Sequence, residues 1–314
     1  MGEMVDGAWR SDEDLAHAKD GRFERPPTRF RGTVAEGGPH PPAVGRYHLY
    51  VSLACPWAHR ALIVRRLKGL EDIVGLSVVH WLMREDGWTF APGPGVVPDP
   101  GGAALLHEVY RRADPRYTGR VTVPVLWDRE ANTIVNNESS EVIRIFNAAF
   151  DGIGAAPGDF YPEALRPEID AVNERVYATL NNGVYRAGFA TMQDAYEAAV
   201  GPLFDTMDWL EERLTERAYL CGEALTEADW RLFTTLVRFD AVYHGHFKCN
   251  LRRLVDYPAL WDYARHLYQR PGVAETVDFL HIKSHYYGSH RAINPTGIVP
   301  LGPVMDWTAP SRRG

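Results

Sequence analysis

Cys55 stands in "YVSLACPWAHRALIV" (50–64), where a strand-like run meets a helix-like run. A cysteine at such a turn has its sulfur beside unpaired amide N–H groups and the positive end of the helix dipole. Both favour the thiolate, which is the nucleophilic form. Pro56 donates no hydrogen bond but fixes the first helical turn. In a dithiol oxidoreductase the residue three further on would be a second cysteine, and here it is Ala58. A mixed disulfide formed at Cys55 must then be resolved by an external thiol. That points to a small-molecule thiol as substrate. The competing reading is an inert core cysteine, which is common, but the position at the turn weighs against it.

Two distant stretches extend this reading. "VTVPVL" places Pro124 inside a strand pattern, where proline is normally excluded. A cis Val123–Pro124 bond explains it and turns the Val123 backbone toward the helix start. A backbone edge there can pair with an extended peptide. "NNESSE" then offers a carboxylate, a hydroxyl and helix-start amides, which suit the amino-acid end of a peptide. Cys55, Val123, Glu138 and Ser139 together describe a slot for a cysteine-containing peptide with a free amino-acid head. Glutathione is such a peptide.

The elements that must hold these residues are legible in the patterning. "RYHLYVSL" (46–53) alternates as a strand, "PWAHRALIVRRLKGL" follows as a helix, and 73–83 is a second strand. That order implies a parallel pair with a crossover helix. Residues 84–119 form a long irregular loop, the kind that is usually functional or disordered, with a short helix at about 104–113. Strands at 119–128 and 132–137 form an antiparallel hairpin, and 138–150 is a helix. This β-α-β, β-β-α order is thioredoxin-like. Residues 151–167 read as a linker, and helices follow at 168–182, 192–216, 226–244, 257–269 and 271–278. The fold class is therefore an α/β thioredoxin-like N-terminal domain plus an all-α helical-bundle C-terminal domain. "LTEADW" is a helix start: Thr226 caps, Asp229 reaches back, and Leu225 can staple to Trp230. Residues 1–42 read as an extended arm whose Trp9, Phe23 and Phe30 dock onto the body, the His- and Tyr-dense stretch from His281 onward reads as irregular, and 286–314 is the C-terminal tail.

The bulk numbers bound the class. The chain has 314 residues, enough for two domains, and 45% hydrophobic residues, enough for packed cores. A net charge of −7 argues for neither nucleic acid nor an anionic membrane surface. The N-terminus shows no secretory h-region, and no apolar run approaches a membrane span. Three scattered cysteines (Cys55, Cys221, Cys249) exclude a disulfide framework and fit a reducing compartment, so a cytoplasmic protein is expected. The histidines (His244, His246, His281, His285, His290) invite a metal reading. Without carboxylate or cysteine companions it is weak, and no metal site is assigned.

The motifs together resemble the glutathionyl-hydroquinone reductases, the Xi class of glutathione transferases. They are "CPWAHR", "DGWTF", "YTGRVTVPVLWD", "NNESSEVIRIFN", "NNGVYRAGFA", "DAVYHGHFKCN", "LYQRPGVAETV", "HIKSHYY" and "INPTGIVPLGP", spanning about 46–303. The resemblance implies reduction of glutathionyl-hydroquinones through a Cys55–glutathione disulfide, with glutathione as co-substrate and no permanently bound cofactor. It implies that Trp88 covers the glutathione and that Arg120, Val121, Thr122 and Val123 contact it. Glu138 and Ser139 would hold the γ-glutamyl head. Tyr185 would be the proton donor and acceptor for the quinol. Tyr243 and Tyr286, preferred over Tyr287, would lie near the cysteine and help lower its pKa. By spacing alone Trp88 could simply pack its loop, and the tyrosines could be core aromatics. A homodimer with the tail packing near the active site is also implied. The alternatives are a related cysteine-type transferase (deglutathionylation, dehalogenation or dehydroascorbate reduction), an enzyme of another low-molecular-weight thiol, or a non-catalytic binding module.

Overall fold

The computed structural model describes residues 2–11 and 20–313, so residues 1, 12–19 and 314 of the expected arm and tail lie outside the described residues. The described chain divides into two units, one of residues 2–11, 26–158 and 276–285, the other of residues 20–25, 159–275 and 286–313.

In the first unit, β1 (Glu3–Val5) and β2 (Ala8–Arg10) form a hairpin at the start of the arm. β3 (Tyr47–Val51), α1 (Pro56–Leu67) and β4 (Val74–Val78) make a parallel β-α-β unit, with Tyr47 opposite Val74 and Val51 opposite Val78. α2 (Leu106–Ala113) follows the long loop. Then come β5 (Gly119–Arg120), β6 (Val125–Asp128), β7 (Thr133–Asn136) and α3 (Ser139–Ala148). The main sheet has the order β4-β3-β6-β7, with β6 antiparallel to both β3 and β7. That is the thioredoxin-like arrangement the patterning predicts. β3 is buried on both faces, which is why its alternation is imperfect and its residues, His48 apart, are large and mostly apolar.

Three expectations are corrected here. The strand expected over 119–128 is two strands in different sheets. β5 pairs with β1 of the arm, so Met4 faces Gly119, and Pro124 separates it from β6. Periodicity cannot see this, because β5's partner lies more than a hundred residues upstream. The strand expected over 73–83 ends at Val78, where the chain turns into the loop. The arm is not merely extended, since it carries the β1–β2 hairpin. Its Trp9 stacks on His107 at 4.8 Å, and Phe30 packs on Tyr110 and Tyr117.

The second unit is helical. α4 (Arg166–Val176) runs into a π-helical turn (Tyr177–Asn181), then α5 (Gly183–Gly188) and α6 (Gln193–Glu216). α7 (Glu227–Arg238) ends in a second π-helical turn (Phe239–Tyr243), and α8 (Pro258–Tyr268) follows. Every residue of α7 is buried. The Asp229 carboxylate anchors its start, accepting from the Thr226 amide (2.7 Å) and hydroxyl (3.0 Å), the Leu220 amide (2.9 Å) and the Tyr263 hydroxyl (2.7 Å). This is the capping box the sequence reading expects, with Thr226 at the N-cap and Asp229 reaching back to its amide. The last helix is also corrected. A short turn at Ala274–Thr276 stands where a helix over 271–278 is expected, and α9 (Phe279–Ser289) occupies the segment expected to be irregular. Its His- and Tyr-rich composition hides the helical period. The division between the two units falls inside α9, after His285.

Candidate active site: a thiol slot and a tyrosine trio

Cys55 is the residue before α1, with extended backbone (φ −78°, ψ 121°) and Pro56 at the first helical position. Its amide donates to the Ser52 carbonyl (3.1 Å), and its carbonyl accepts the His59 amide (3.0 Å). The thiol is half-buried and donates to the Val123 carbonyl at 3.6 Å. The Val123–Pro124 bond is cis. The structure therefore brings Cys55 and Val123 together. Cys221 and Cys249 are buried thiols elsewhere. Burial and the nearby Asp229 push the Cys221 thiol up to about 11, and burial pushes the Cys249 thiol up well above its usual range.

Glu138 and Ser139 start α3. The Glu138 carboxylate accepts from the Ser140 amide (3.2 Å) and hydroxyl (3.1 Å), and from the Thr28 hydroxyl of the arm (3.3 Å). Ser139 is buried and its hydroxyl accepts from the Arg60 guanidinium at 3.4 Å. Arg60 is itself buried and lies 4.6 Å from the Trp57 ring centre. A buried cation beneath a helix start adds to that helix's attraction for a carboxylate. Arg60 and Thr28 were assigned no role from sequence. Arg60 sits inside the "CPWAHR" motif, and that motif is the available signal. Thr28 had none, because the arm's path is not periodic.

Trp88 lies in the long loop, 7% exposed, stacked on His285 with ring centres 4.9 Å apart. His285 donates through Nδ1 to the Trp81 carbonyl (2.8 Å), and His281 through Nε2 to the Pro94 carbonyl (2.7 Å). These two histidines, four apart on α9, clamp the loop. One nitrogen of each ring serves a carbonyl oxygen, and no group of three or more metal-binding side chains exists among the described residues. Arg120 lies in β5, and its carbonyl accepts the Tyr117 hydroxyl (2.9 Å). Val121 and Thr122 continue toward Val123, and the Thr122 carbonyl accepts the Tyr110 hydroxyl (2.8 Å).

In the second unit, Tyr185, Tyr243 and Tyr286 converge. The Tyr286 hydroxyl is 2.5 Å from that of Tyr185 and 3.1 Å from that of Tyr243. Tyr243 ends one π-helical turn, and Tyr185 stands just past the other. Such turns re-aim side chains and recur at functional sites. Burial pushes the Tyr286 phenol well above its usual range, reinforced by the two neighbouring phenols and opposed by Arg238. Tyr287 stays outside the trio and packs on His246. Arm residues add to the trio's surroundings. The Arg25 guanidinium lies 4.9 Å from the Tyr185 ring centre, and Phe23 packs on Tyr185 and Phe189.

A thioredoxin-like unit with one thiol at the first helix, a cis-proline edge beside it and an all-α second unit defines the glutathione transferase architecture. The family descriptions "Glutathione S-transferase, N-terminal domain" and "Glutathione S-transferase, C-terminal domain" match residues 54–149 and 193–266. The glutathionyl-hydroquinone reductase PcpF of Sphingobium chlorophenolicum is 59% identical over 97% of both chains. The glutathionyl-hydroquinone reductase YqjG of Escherichia coli is 52% identical over 100% of this chain and 98% of its own. YqjG's glutathione-bound structure superimposes with a TM-score of 0.91 at 51% identity, covering 99% of each chain. The Xi glutathione transferase of Phanerochaete chrysosporium gives a TM-score of 0.90 at 52% identity, over 93% of this chain and 97% of that one. The chain belongs to the glutathionyl-hydroquinone reductases, the Xi class of glutathione transferases.

Proposed function

We propose that this chain reduces glutathionyl-hydroquinones with glutathione, using Cys55 as the nucleophile. The Cys55 thiolate attacks the substrate's sulfur. The bond from sulfur to ring carbon breaks, its electron pair goes to the ring, and the ring takes up a proton and leaves as the hydroquinone. Cys55 is left as a disulfide with glutathione. A second glutathione thiolate attacks the glutathione sulfur of that disulfide, oxidised glutathione leaves, and Cys55 recovers its thiolate. The ring gains two electrons, and two glutathione sulfurs lose them in becoming one disulfide.

Trp88, Arg120, Val121, Thr122 and Val123 hold the glutathione, and Glu138 and Ser139 hold its γ-glutamyl head. Val123 supplies backbone hydrogen bonds. Tyr185 exchanges the proton with the quinol, and Tyr243 and Tyr286 complete the catalytic set through the hydrogen bonds of the trio. Glutathione is a co-substrate, and no permanent cofactor enters the scheme. The enzyme works in the cytoplasm as a homodimer. Leu301 and Val304 of the tail, both fully exposed, supply apolar surface for that association. No helix among the described residues is long and apolar enough to cross a membrane.

The observation that carries this reading is the Cys55 thiol at the start of α1, 3.6 Å from the Val123 carbonyl. The test is product analysis with a glutathionylated hydroquinone and glutathione, following hydroquinone and oxidised glutathione by chromatography. Cys55→Ala abolishes both products, and wild-type release by that variant would falsify the mechanism. The same assay with other cellular thiols in place of glutathione decides which thiol the slot takes.

A further inference from the structure

Tyr110 lies in α2, outside every motif assigned a role, and is fully buried. Its hydroxyl donates to the Thr122 carbonyl (2.8 Å) and accepts from the Thr122 amide (3.2 Å) and the Asn137 side-chain amide (3.1 Å). A phenol oxygen has one proton to give and two lone pairs to share, so its whole capacity is committed. Its partners belong to two separate segments. Thr122 adjoins Val123, whose carbonyl meets Cys55, and Asn137 adjoins Glu138 at the start of α3. We infer that Tyr110, acting with Asn137, is a positioning residue that fixes the spacing between the Val123 backbone edge and the Glu138–Ser139 helix start, and so sets the affinity for glutathione.

This rests on the functional reading above, in which both segments grip one tripeptide. A ligand that bridges two segments is sensitive to their separation, because hydrogen bonds weaken steeply with misplacement. Asn137 extends the brace to the arm, its side-chain oxygen accepting from the Phe30 amide (3.2 Å) and its own amide donating to the Phe30 carbonyl (3.1 Å). Tyr117 supports the same segment two residues earlier, donating to the Arg120 carbonyl at 2.9 Å. Burial pushes the Tyr110 phenol up, which keeps it a donor at every physiological pH.

Removing the hydroxyl leaves a carbonyl and two N–H groups in buried space without their partner, and the segments shift to recover hydrogen bonds. Glutathione binding to the full-length protein, measured by titration calorimetry, weakens about ten-fold in Tyr110→Phe. Turnover with both the glutathionyl-hydroquinone and glutathione saturating changes by less than two-fold, while the KM for each rises. Asn137→Ala weakens binding similarly. The double variant is no worse than either alone, since both break one brace. A folded Tyr110→Phe with a lowered melting temperature and wild-type glutathione affinity overturns the inference, as do effects that multiply in the double variant. If Tyr110→Phe does not fold, Asn137→Ala decides by the same criterion. If the wild-type protein itself fails to bind glutathione, the functional reading falls and the inference falls with it.

Discussion

The hydroxyls of Tyr243 and Tyr286 lie 3.1 Å apart with both rings closed off from water. Because the Tyr286 hydroxyl also meets that of Tyr185, its proton can be shared among three phenols. Tyr185→Phe lowers turnover roughly a hundred-fold, as expected for loss of a positioned proton donor, and Tyr286→Phe lowers it about ten-fold through Tyr185. Glutathione affinity stays at the wild-type value in both. Steady-state kinetics with direct binding checks this, and a Tyr185→Phe enzyme with full turnover removes it from the mechanism.

Tyr286 also has a consequence for stability. Its folded pKa is raised well above the unfolded value of about 10. Above pH 10 the unfolded chain releases the proton while the folded chain keeps it. The stability linked to this proton is therefore complete below pH 10 and is lost as pH climbs further. Urea midpoints recorded from pH 8 to 11 fall only at the alkaline end, and the fall is shallower in Tyr286→Phe. Identical alkaline slopes in the two proteins contradict the assignment.

His48 sets the acid side. Arg129 donates to its Nδ1 (2.6 Å), so the ring is neutral and its Nε2 donates to Ser77 (2.7 Å), whose hydroxyl donates to the Pro98 carbonyl (2.8 Å). Burial, then the Arg129 charge, pulls its pKa down to about 4. The unfolded chain takes up this proton near 6.5, so stability is complete above that pH and drains away as pH falls toward 4. His48→Gln is destabilising at pH 7, and the gap to wild type narrows by pH 4.5. A gap that is constant with pH rules out His48 as the titrating group.

The three thiols differ in exposure. Cys55 is half-buried at a helix start, whereas the Cys221 and Cys249 thiols are buried and their protons are held more tightly than usual. Iodoacetamide at pH 7.5 labels Cys55 at least ten times faster than either, because only the thiolate reacts. Peptide mass spectrometry over a time course reads the order, and prior labelling of Cys221 or Cys249 refutes it.

Gly188 ends α5 against the Phe247 ring, which an added Cβ would strike. Phe247 packs on all three tyrosines, with ring centres 5.5 to 5.7 Å away. Gly188→Ala forces the ring to move and costs about 1–3 kcal/mol of stability, typical of overpacking. Turnover drops with it, because the trio loses its packing partner. Thermal unfolding and kinetics on one sample test both. Unchanged turnover in a destabilised protein separates Phe247 from the trio.

How much of this is legible in sequence depends on whether a feature is local. Pro56 before a helical run, the alternation of 46–53 and the hairpin after Pro124 all encode their own conformation, and the sheet follows from them. The Cys55–Val123 pairing was also readable, because a proline inside a strand pattern is a rare signal. Pairings between distant segments were not. β5 joins the arm and not β6, Tyr110 joins two segments through one oxygen, and α9 hides its period behind histidines committed to the long loop. Tyr185 and Tyr243 at helical spacing look like core aromatics, and the structure does bury both; only the motif resemblance singles them out as proposed catalytic groups.

The arm's residues 30–32 run alongside β7. The Gly32 amide donates to the Val135 carbonyl (2.8 Å), and Arg31 faces Asn136. An unpaired sheet margin is a template on which a second chain can add strands and begin to aggregate. In this protein the margin at β7 is already taken by its own N-terminal segment. Trimming that segment would do more than shorten a tail, since it would open an adhesive border next to the residues that start α3.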